Sequence, residues 1–347
     1  MACRCPKIGT LQPYRYGIFA PASDAATSRQ SGAALITALL LVVLVAGIVS
    51  QLLAAQSHAL SRVVRAQAQT QLTLFATPSL DWARAALLED SKQSSIDHLG
   101  EIWARGLPPQ PVGSGANAGI ATGIIKDETA KFNLNNLVND QGVKSQADVE
   151  IFQRLLAALG LDTGLSHAVH DWIDIDDEAT FPGGAETATY MTKKPPYRPA
   201  NRRMVQVEEL LRVHGITQTI FNRLQPFVTA LPTRTKINLN TAPQQLLSAV
   251  LPRLVGDDAK AFIKLRTDTP FANINAVRTA LKGLEPSSLD QQCDVRTDYF
   301  EVFITVENAE GRVRLNAMMQ RPFAGSLNPS APAATASWPS IIWVRNF

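Results

Sequence analysis

The densest group of side chains with chemical potential in this sequence is an acidic loop at residues 171–190. It holds six carboxylates and a glycine pair: Asp171, Asp174, Asp176, Asp177, Glu178 and Glu186, with Gly183 and Gly184. Carboxylate oxygens at this density suit calcium rather than zinc. The spacing is not that of an EF-hand, because position twelve counted from Asp174 is Ala185 and Glu186 follows one residue late. The residues alone leave two interpretations open, a calcium site and a solvated acidic loop.

Two histidines beside this loop, His167 and His170, raise the question of a zinc site. No glutamate follows the first histidine as in H-E-x-x-H, and no third histidine stands at a zinc-site spacing. Packing or surface histidines are therefore the better interpretation. The sequence also contains no glycine-rich phosphate loop after a strand and no catalytic constellation, so we predict that the protein is not an enzyme.

A DNA-binding alternative comes from "VEELLRVHGI" and "KINLNTAPQQLL". These segments resemble the helix-hairpin-helix repeats of membrane-anchored competence DNA receptors, in which backbone N–H groups and nearby cations hold phosphates. The cations here would be Arg212, Arg223, Lys236 and Arg253. Against this function, the residues after Gly32 carry no net charge and no long basic run, so we expect no nucleic-acid partner.

The elements that must position these residues begin with an apolar run from Ala33 to Ala55. This run is long enough to cross a hydrocarbon core of about 30 Å and longer than a secretory h-region. Arginines and a lysine precede it, which predicts a cytoplasmic N-terminus and an external bulk. Helical spacing continues beyond the membrane, with apolar positions at Leu72, Phe75 and Leu80.

The middle of the chain predicts a block of short helices, and strands follow it. In "DYFEVFITVENAEGRVRLNAMMQR" apolar residues alternate on both sides of an "NAEG" turn, which predicts a hairpin. The predicted organisation is residues 1–32 as a leader, 33–55 as a transmembrane segment, 56–140 and 286–347 as two parts of an α/β head, and 141–285 as an inserted helical domain.

The position of Gly32 distinguishes the leader from a secretory signal. The apolar run begins directly after this glycine, whereas a secretory cleavage site follows the apolar core. The arrangement resembles the leader of type IV pilins and type II secretion pseudopilins. That resemblance implies cleavage between Gly32 and Ala33 by a prepilin peptidase and methylation of the new N-terminus. Most such subunits carry glutamate at the fifth mature position, where this chain has Thr37.

Three further blocks resemble one family, the minor pseudopilin K of the type II secretion system. They are "DETAKFNLNNLV", the segment from "HDWIDIDDEATFPGGAETATY" through "PPYRPANRRM", and "KINLNTAPQQLL". The resemblance implies an α+β fold in which a long N-terminal transmembrane helix continues into a pilin-like head with an antiparallel sheet and a large all-helical insertion. It also implies calcium, with Asp174, Asp176 and Glu186 as the preferred ligands and Asp177 as a fourth.

The family resemblance further implies a function in the inner membrane, with the bulk of the chain in the periplasm. We expect a subunit that starts and caps the pseudopilus together with minor pseudopilins I and J during export of folded proteins. A head with so large an insertion would clash inside a repeating filament. Leu72, Phe75 and Leu80 are the predicted contacts with partner helices.

Overall fold

The computed structural model describes residues 30–115, 118–321 and 338–346, and the side chains of residues 30–32 are outside this description. The predicted leader, including the side-chain environment of the Gly32 cleavage position, therefore lies outside the described residues. The chain divides into two units, residues 1–64 and 65–347.

The first unit contains the start of helix α1, which spans Gln30–Gln93. All described side chains from Ala33 to Val64 are exposed. Ala33–Gln93 is one helix, among the described residues, that is long and apolar enough to cross a membrane. The Thr37 hydroxyl donates to the carbonyl oxygens of Ala33 and Ala34, at 3.1 and 3.0 Å. This part of α1 is compatible with a single-pass membrane anchor.

The second unit is organised around a five-stranded antiparallel sheet. Its strands lie in the order β1 (Leu107–Val112), β2 (Gly119–Asp127), β7 (Tyr299–Asn308), β8 (Gly311–Gln320) and β9 (Ser340–Asn346). The predicted hairpin is β7 and β8, in which Asn308 pairs with Gly311. Asn308 Oδ1 accepts from the backbone N–H groups of Glu310 and Gly311, which closes the turn.

One face of this sheet packs on the second half of α1. Helical spacing brings five α1 side chains to one side, and alanines between the leucines allow the helix to approach the strands closely. These side chains are Leu72, Ala76, Leu80, Ala83 and Leu87, and each is at most 2% exposed. Alternate residues of β7 and β8, such as Val302 and Leu315, complete this core.

The same packing corrects the predicted partner contacts. Leu72 and Leu80 are buried in the chain's own core, at 1% and 2% exposure, so they offer no surface to a partner helix. Phe75 is half-buried at the edge of that core. The apolar pattern of α1 predicts a buried helix face, and this chain's own sheet covers that face. Periodicity shows which side chains share a helix face and does not show which molecule covers that face.

The chain leaves the sheet after β2 and returns to it at β7. The insertion between these strands has its own hydrophobic core. Its helices are α2 (Gln146–Ala158), α3 (Leu165–Ile173), α4 (Thr187–Tyr190), α5 (Gln218–Leu224), α6 (Gln244–Val250), α7 (Gly256–Asp268), α8 (Ile274–Leu281) and α9 (Leu289–Gln292). Two short parallel pairings accompany them, β3 (Phe132–Asn133) with β4 (Val228–Thr229) and β5 (Ile237–Asn238) with β6 (Cys293–Asp294). The insertion is therefore mainly helical rather than all-helical, and the α+β class is confirmed.

The asparagines of the "NLN" segments hold this insertion together. Asn135 donates to the carbonyl oxygens of Met204 and Leu231 and accepts from the Met204 N–H. Asn240 exchanges two hydrogen bonds with the backbone of Phe271. An amide side chain can pair with a peptide group in the same way as a strand, so these buried asparagines satisfy loops that have no ladder of their own.

Candidate functional site

The acidic loop begins where α3 ends and closes where α4 begins. Asp174 follows the last residue of α3, and Glu186 precedes the first residue of α4. The glycine pair allows the chain to fold back between them. Gly183 has a φ of +89°, and a Cβ at Gly184 would collide with Asp171 Oδ2. Neither position accepts an ordinary side chain without a change in the loop.

Three of the four predicted ligands come together. One carboxylate oxygen from each of Asp174, Asp176 and Glu186 lies within 4.8 Å of the other two. Asp174 and Glu186 are buried, at 2% and 4% exposure, whereas Asp176 is exposed. Asp174 Oδ1 and both carboxylate oxygens of Glu186 are buried without a hydrogen-bond partner among the described residues. Buried acceptors without partners are costly, so this arrangement suits a group that the chain itself does not supply.

The electrostatics of the cluster agree with its geometry. Burial, followed by the neighbouring Asp174, raises the pKa of Glu186 to about 8. Burial also raises the pKa of Asp174 to about 7, although the nearby His170 opposes the increase. Each group is harder to ionise because a like charge lies beside it in a poorly solvated place. A divalent cation would remove that penalty for both.

The fourth predicted ligand, Asp177, is outside this cluster. Its Oδ1 accepts from the backbone N–H of Thr187 at 3.1 Å, and hydrogen bonding by the side chain and then the backbone of Thr187 lowers the pKa of Asp177. Thr187 is the first residue of α4. Asp177 therefore fixes the end of the loop and the start of that helix.

A second group of possible ligands shares Asp174. His170 Nδ1 lies 3.2 Å from Asp171 Oδ1 and 3.2 Å from Asp174 Oδ2. Asp171 Oδ2 accepts from the backbone N–H of Thr180 at 2.9 Å, which ties α3 to the loop. His167 lies outside the group, and its Nδ1 is 2.7 Å from the Pro182 carbonyl oxygen. His170 thus supports the acidic cluster, and His167 packs against the loop.

Asn201 supports the acidic loop from outside residues 171–190, and no motif of that loop points to it. Its Nδ2 donates to the carbonyl oxygen of Asp176 at 2.8 Å, and its N–H donates to the carbonyl oxygen of Trp172 at 3.1 Å. Its φ of 42° is in the region that asparagine tolerates best among residues with a side chain. The asparagine of "PYRPAN" was the available signal, but only the fold brings it against the loop.

A cluster of three aromatic rings packs beneath the loop and holds Asn201 in place through Trp172, whose carbonyl oxygen accepts the Asn201 N–H. Trp172 lies 5.3 Å from Tyr190 and 6.3 Å from Tyr197, measured between ring centroids. The Tyr190 hydroxyl accepts from the His214 N–H, and the Tyr197 hydroxyl donates to the Arg212 carbonyl oxygen. Ring packing between Trp172 at the end of α3 and Tyr190 in α4 therefore connects the two ends of the loop.

A different acidic cluster surrounds Arg321, which is 1% exposed. The guanidinium donates to Asp90 Oδ2 at 2.7 Å and also to Asp97 Oδ1, and it lies over the Phe300 ring. Asp97 Oδ2 accepts from the Thr297 N–H at 2.8 Å. Burial raises the pKa of Asp97 to about 7, although Arg321 opposes the increase. Here the chain supplies its own cation, so the cluster is an ion-pair network.

The cations of the DNA-binding alternative have varied surroundings. Arg212, Lys236 and Arg253 are exposed, whereas the Arg223 guanidinium donates to the Leu159 carbonyl oxygen. The glycine of the predicted hairpin, Gly215, has a φ of +81°, and a Cβ there would lie 2.8 Å from Leu165 Cδ2. This hairpin is packed against α3, which accounts for its glycine without a phosphate ligand.

Comparisons with known proteins give a consistent family. Two family models, both described as type II secretion system (T2SS), protein K, match residues 130–233 and 237–296. A type II secretion system protein K from Pseudomonas aeruginosa is 32% identical over 312 residues, covering 87% of this chain and 92% of the relative. The corresponding protein from Aeromonas hydrophila is 30% identical over 315 residues, covering 84% of this chain and 93% of the relative.

A solved structure shares the fold. It is the crystal structure of the GspK-GspI-GspJ complex from the enterotoxigenic Escherichia coli type 2 secretion system. The matched chain is 21% identical, with a TM-score of 0.68, and the match covers 82% of this chain and 99% of that one. The predicted long helix, antiparallel sheet and helical insertion are confirmed by this similarity.

Proposed function

Since this chain belongs to the protein K family of the type II secretion system and is a minor pseudopilin of that system, we propose that it starts and caps the pseudopilus at its tip. The observation that carries this proposal is the insertion between β2 and β7, which has a hydrophobic core separate from that of the head. A head enlarged in this way is poorly suited to the interior of a repeating filament. At the tip nothing needs to pack above it.

The polar residue near the start of α1 supports the same position. In subunits that dock beneath a neighbour, a carboxylate at the fifth mature position offsets the neighbour's N-terminal ammonium inside the membrane. Thr37 supplies no charge, and its hydroxyl is already satisfied by the carbonyl oxygens of its own helix. An ammonium without a counter-charge in hydrocarbon is costly, so this chain is a poor base for a subunit above it.

The partners that we propose are minor pseudopilins I and J, by analogy with the E. coli complex whose K subunit has this fold. Two exposed leucines of α1 are better candidates for partner contacts than Leu72 and Leu80. Leu60 and Leu74 are each 66% exposed. Apolar helix side chains with this exposure can pack against the α1 helices of other subunits.

Processing and location complete the proposal. A prepilin peptidase cuts after Gly32, and the new N-terminus at Ala33 is methylated. The first part of α1 then anchors the protein in the inner membrane with its N-terminus in the cytoplasm and its bulk in the periplasm. The subunit acts structurally, by initiating and capping a pseudopilus that helps folded proteins cross the outer membrane.

We also propose that Asp174, Asp176 and Glu186 hold a calcium ion, because their oxygen donors fit a hard cation and two of these side chains have buried oxygens without partners among the described residues. Bound calcium would supply the positive charge that the cluster lacks. The chain's own contribution is to fix the ligands: Gly184 allows the loop to approach Asp171, and Asn201 holds the backbone at Asp176.

The first test is the intact mass and N-terminal sequence of the membrane form, with and without a co-expressed prepilin peptidase. A mature chain that begins with methylated Ala33 supports the proposed processing. An uncut chain would contradict it and would make the DNA-binding alternative the next one to test. A cut behind the apolar run would identify a secretory signal instead.

The second test separates partner contacts from core packing. We expect Leu74→Glu to reduce co-purification with I and J while leaving the unfolding transition unchanged. Leu72→Ala is the matched variant, and we expect it to destabilise the head by about 2–5 kcal/mol because it opens a cavity under the sheet. Equal recovery of I and J with the Leu74 variant and the wild type would contradict this contact.

The third test addresses the tip. Gold labelling of an epitope on this subunit in assembled pseudopili should mark one end of each fibre, and cells without the subunit should form fewer fibres. Labels along the whole length would contradict a capping position.

A further inference from the structure

A groove of about 960 Å³ lies on the face of the sheet opposite α1. Its floor comes from β2, β7, β8 and β9, and part of its wall comes from the insertion at Val205 to Glu208 and at Gln225 to Ala230. The groove therefore belongs to the second unit and has no part in the α1 surface assigned above to I and J.

Strand register fixes the order of side chains on the groove floor. One row across the sheet contains Ile124, Phe303, Asn316 and Arg345, and the next row contains Lys126, Glu301, Met318 and Trp343. Trp343 and Met318 pack with Leu231 of the insertion, which closes this end of the floor. Ile124 is 55% exposed and Phe303 is half-buried, so the floor presents an open apolar centre.

Most charges lining the groove are paired within the chain. Lys131 contacts Glu128 and lies 3.8 Å from Glu301. Arg345 Nη1 lies 3.7 Å from Glu208 Oε2. Two cations of the floor, Lys126 and Arg314, take no part in these pairs.

Lys126 and Arg314 are both exposed, and no carboxylate of the described residues forms an ion pair with either. The Lys126 ammonium lies 4.9 Å from the centre of the Phe303 ring, so it leans over the apolar centre. Two such cations on either side of exposed apolar groups are complementary to an acidic and apolar partner.

The register also gives the spacing between these cations. Lys126 is opposite Glu301 and Arg314 is opposite Thr305, so the two positions are four residues apart along β7 and two strands apart across the sheet. At about 3.3 Å per residue and about 4.8 Å per strand, this corresponds to roughly 16 Å between the backbone positions. The inward lean of Lys126 shortens the distance that a ligand must span.

We propose that this groove binds an extended segment of another polypeptide, with carboxylates at positions i and i+4 and an apolar side chain at i+2. Residues i, i+2 and i+4 of a strand lie on one face and span about 13 Å. The carboxylates contact Lys126 and Arg314, and the apolar side chain contacts Ile124 and Phe303. This binding does not depend on the tip position or on calcium.

The test uses the full chain in detergent and two acetylated, amidated peptides, Thr-Glu-Thr-Val-Thr-Glu-Thr and its counterpart with Gln in place of Glu. We expect the acidic peptide to bind more tightly than the neutral peptide by about three- to tenfold, in line with two exposed ion pairs. Higher salt should reduce the difference. Equal affinity for the two peptides would overturn the proposal.

Charge variants locate the binding. Lys126→Gln with Arg314→Gln should remove the preference for the acidic peptide, and Lys126→Glu with Arg314→Glu should reduce binding of that peptide below the level of the neutral one. Arg253→Glu with Lys264→Glu changes the net charge by the same amount at exposed positions outside the groove and should leave the preference intact. A preference that survives the groove variants, or that is lost in the control, would overturn the proposal. Recovery of I and J with these variants is measured separately and reports on the α1 surface.

Discussion

Two of the buried acidic clusters in the described part of the chain differ in whether the chain supplies the cation. Around Arg321, the carboxylates of Asp90 and Asp97 contact a guanidinium that is itself buried. Around Glu186, both carboxylate oxygens are buried without partners among the described residues. Carboxylates lie close together in both places, but His170 reaches only Asp174 in the second cluster, and no ion pair of the described residues includes Glu186.

This difference shows that a group of acids is not a metal site by proximity alone. A pair of buried carboxylates is tolerated when a cation compensates their charges and hydrogen bonds satisfy their oxygens. In the first cluster, Thr297 also donates to Asp97, so most of the bonding capacity is used inside the chain. Burial raises the pKa of Asp97 as well as those of Asp174 and Glu186, but Arg321 opposes the increase at Asp97, whereas neighbouring carboxylates add to the increase at Glu186. The two clusters should therefore respond differently to the loss of a charge and to calcium.

The largest expected effect comes from removing the internal cation. Arg321→Gln leaves two buried carboxylates without their guanidinium, and we expect it to reduce the free energy of unfolding by about 3–5 kcal/mol. Urea unfolding of the full chain in detergent, with calcium present, measures this change. Arg278→Gln is the control, because Arg278 forms an exposed pair with Asp290 and should cost less than about 1 kcal/mol. Similar losses in both variants would contradict the distinction between the clusters.

Calcium should stabilise the second cluster and leave the first unaffected. At a hundredfold to thousandfold excess over its dissociation constant, calcium should add about 3–4 kcal/mol to the free energy of unfolding. Asp174→Asn with Glu186→Gln should abolish this increase, which unfolding with calcium and with EDTA would measure. Asp257→Asn, at an exposed pair with Lys260, should keep the full response. A calcium response that persists in the double variant would place the metal elsewhere.

The pH dependence in EDTA should follow the raised pKa of Glu186. Its folded pKa of about 8 exceeds the ordinary value of 4.5, so the folded chain binds more protons between these pH values. The stability that Glu186 contributes is therefore fully present below the ordinary pKa of 4.5 and is lost as pH rises through the folded pKa of about 8. We expect the metal-free protein to lose about 5 °C in Tm between pH 5 and 8, and Glu186→Gln to reduce this loss without abolishing it, because the raised pKa values of Asp174 and Asp97 act in the same direction. An increase in Tm over that range would contradict the sign.

The smallest expected effect is a difference in calcium affinity between variants of two neighbouring aspartates. Asp176→Asn should weaken calcium binding clearly, because its carboxylate is in the cluster. Asp177→Asn should have a smaller effect, because Asp177 acts through its hydrogen bond to the Thr187 N–H. Isothermal titration with calcium measures both. A stronger effect at Asp177 would show that the loop rearranges around the ion.

Much of the fold was accessible from local patterns. The alternation of Phe300, Val302, Ile304 and Val306 predicted one buried face of β7, and all four are buried. The "NAEG" segment predicted the turn into β8, which the Asn308 side chain closes. Such patterns are readable because strand period and turn chemistry depend on neighbouring residues.

Local sequence patterns do not show which surface packs against each apolar face. Leu72 and Leu80 were assigned to partner helices, but they are buried under the chain's own sheet. The strands that cover these leucines begin far along the sequence, and no local pattern shows that the chain comes back to pack on α1. Asn201 was missed as a support of the acidic loop for the same reason, because its contact with Asp176 spans a long intervening segment.

The sequence by itself determined the apolar segment of α1, the order of helices and strands, and the presence of many carboxylates in one loop, because these are properties of composition and short-range spacing. Only the tertiary structure decided which carboxylates meet, since Asp174, Asp176 and Glu186 are brought together by a turn at the glycine pair while Asp177 is turned to α4. It also decided that Arg321 compensates one acidic cluster and no comparable cation, among the described residues, reaches Glu186. Burial and charge compensation depend on residues that are distant in the chain, and these contacts exist only after folding.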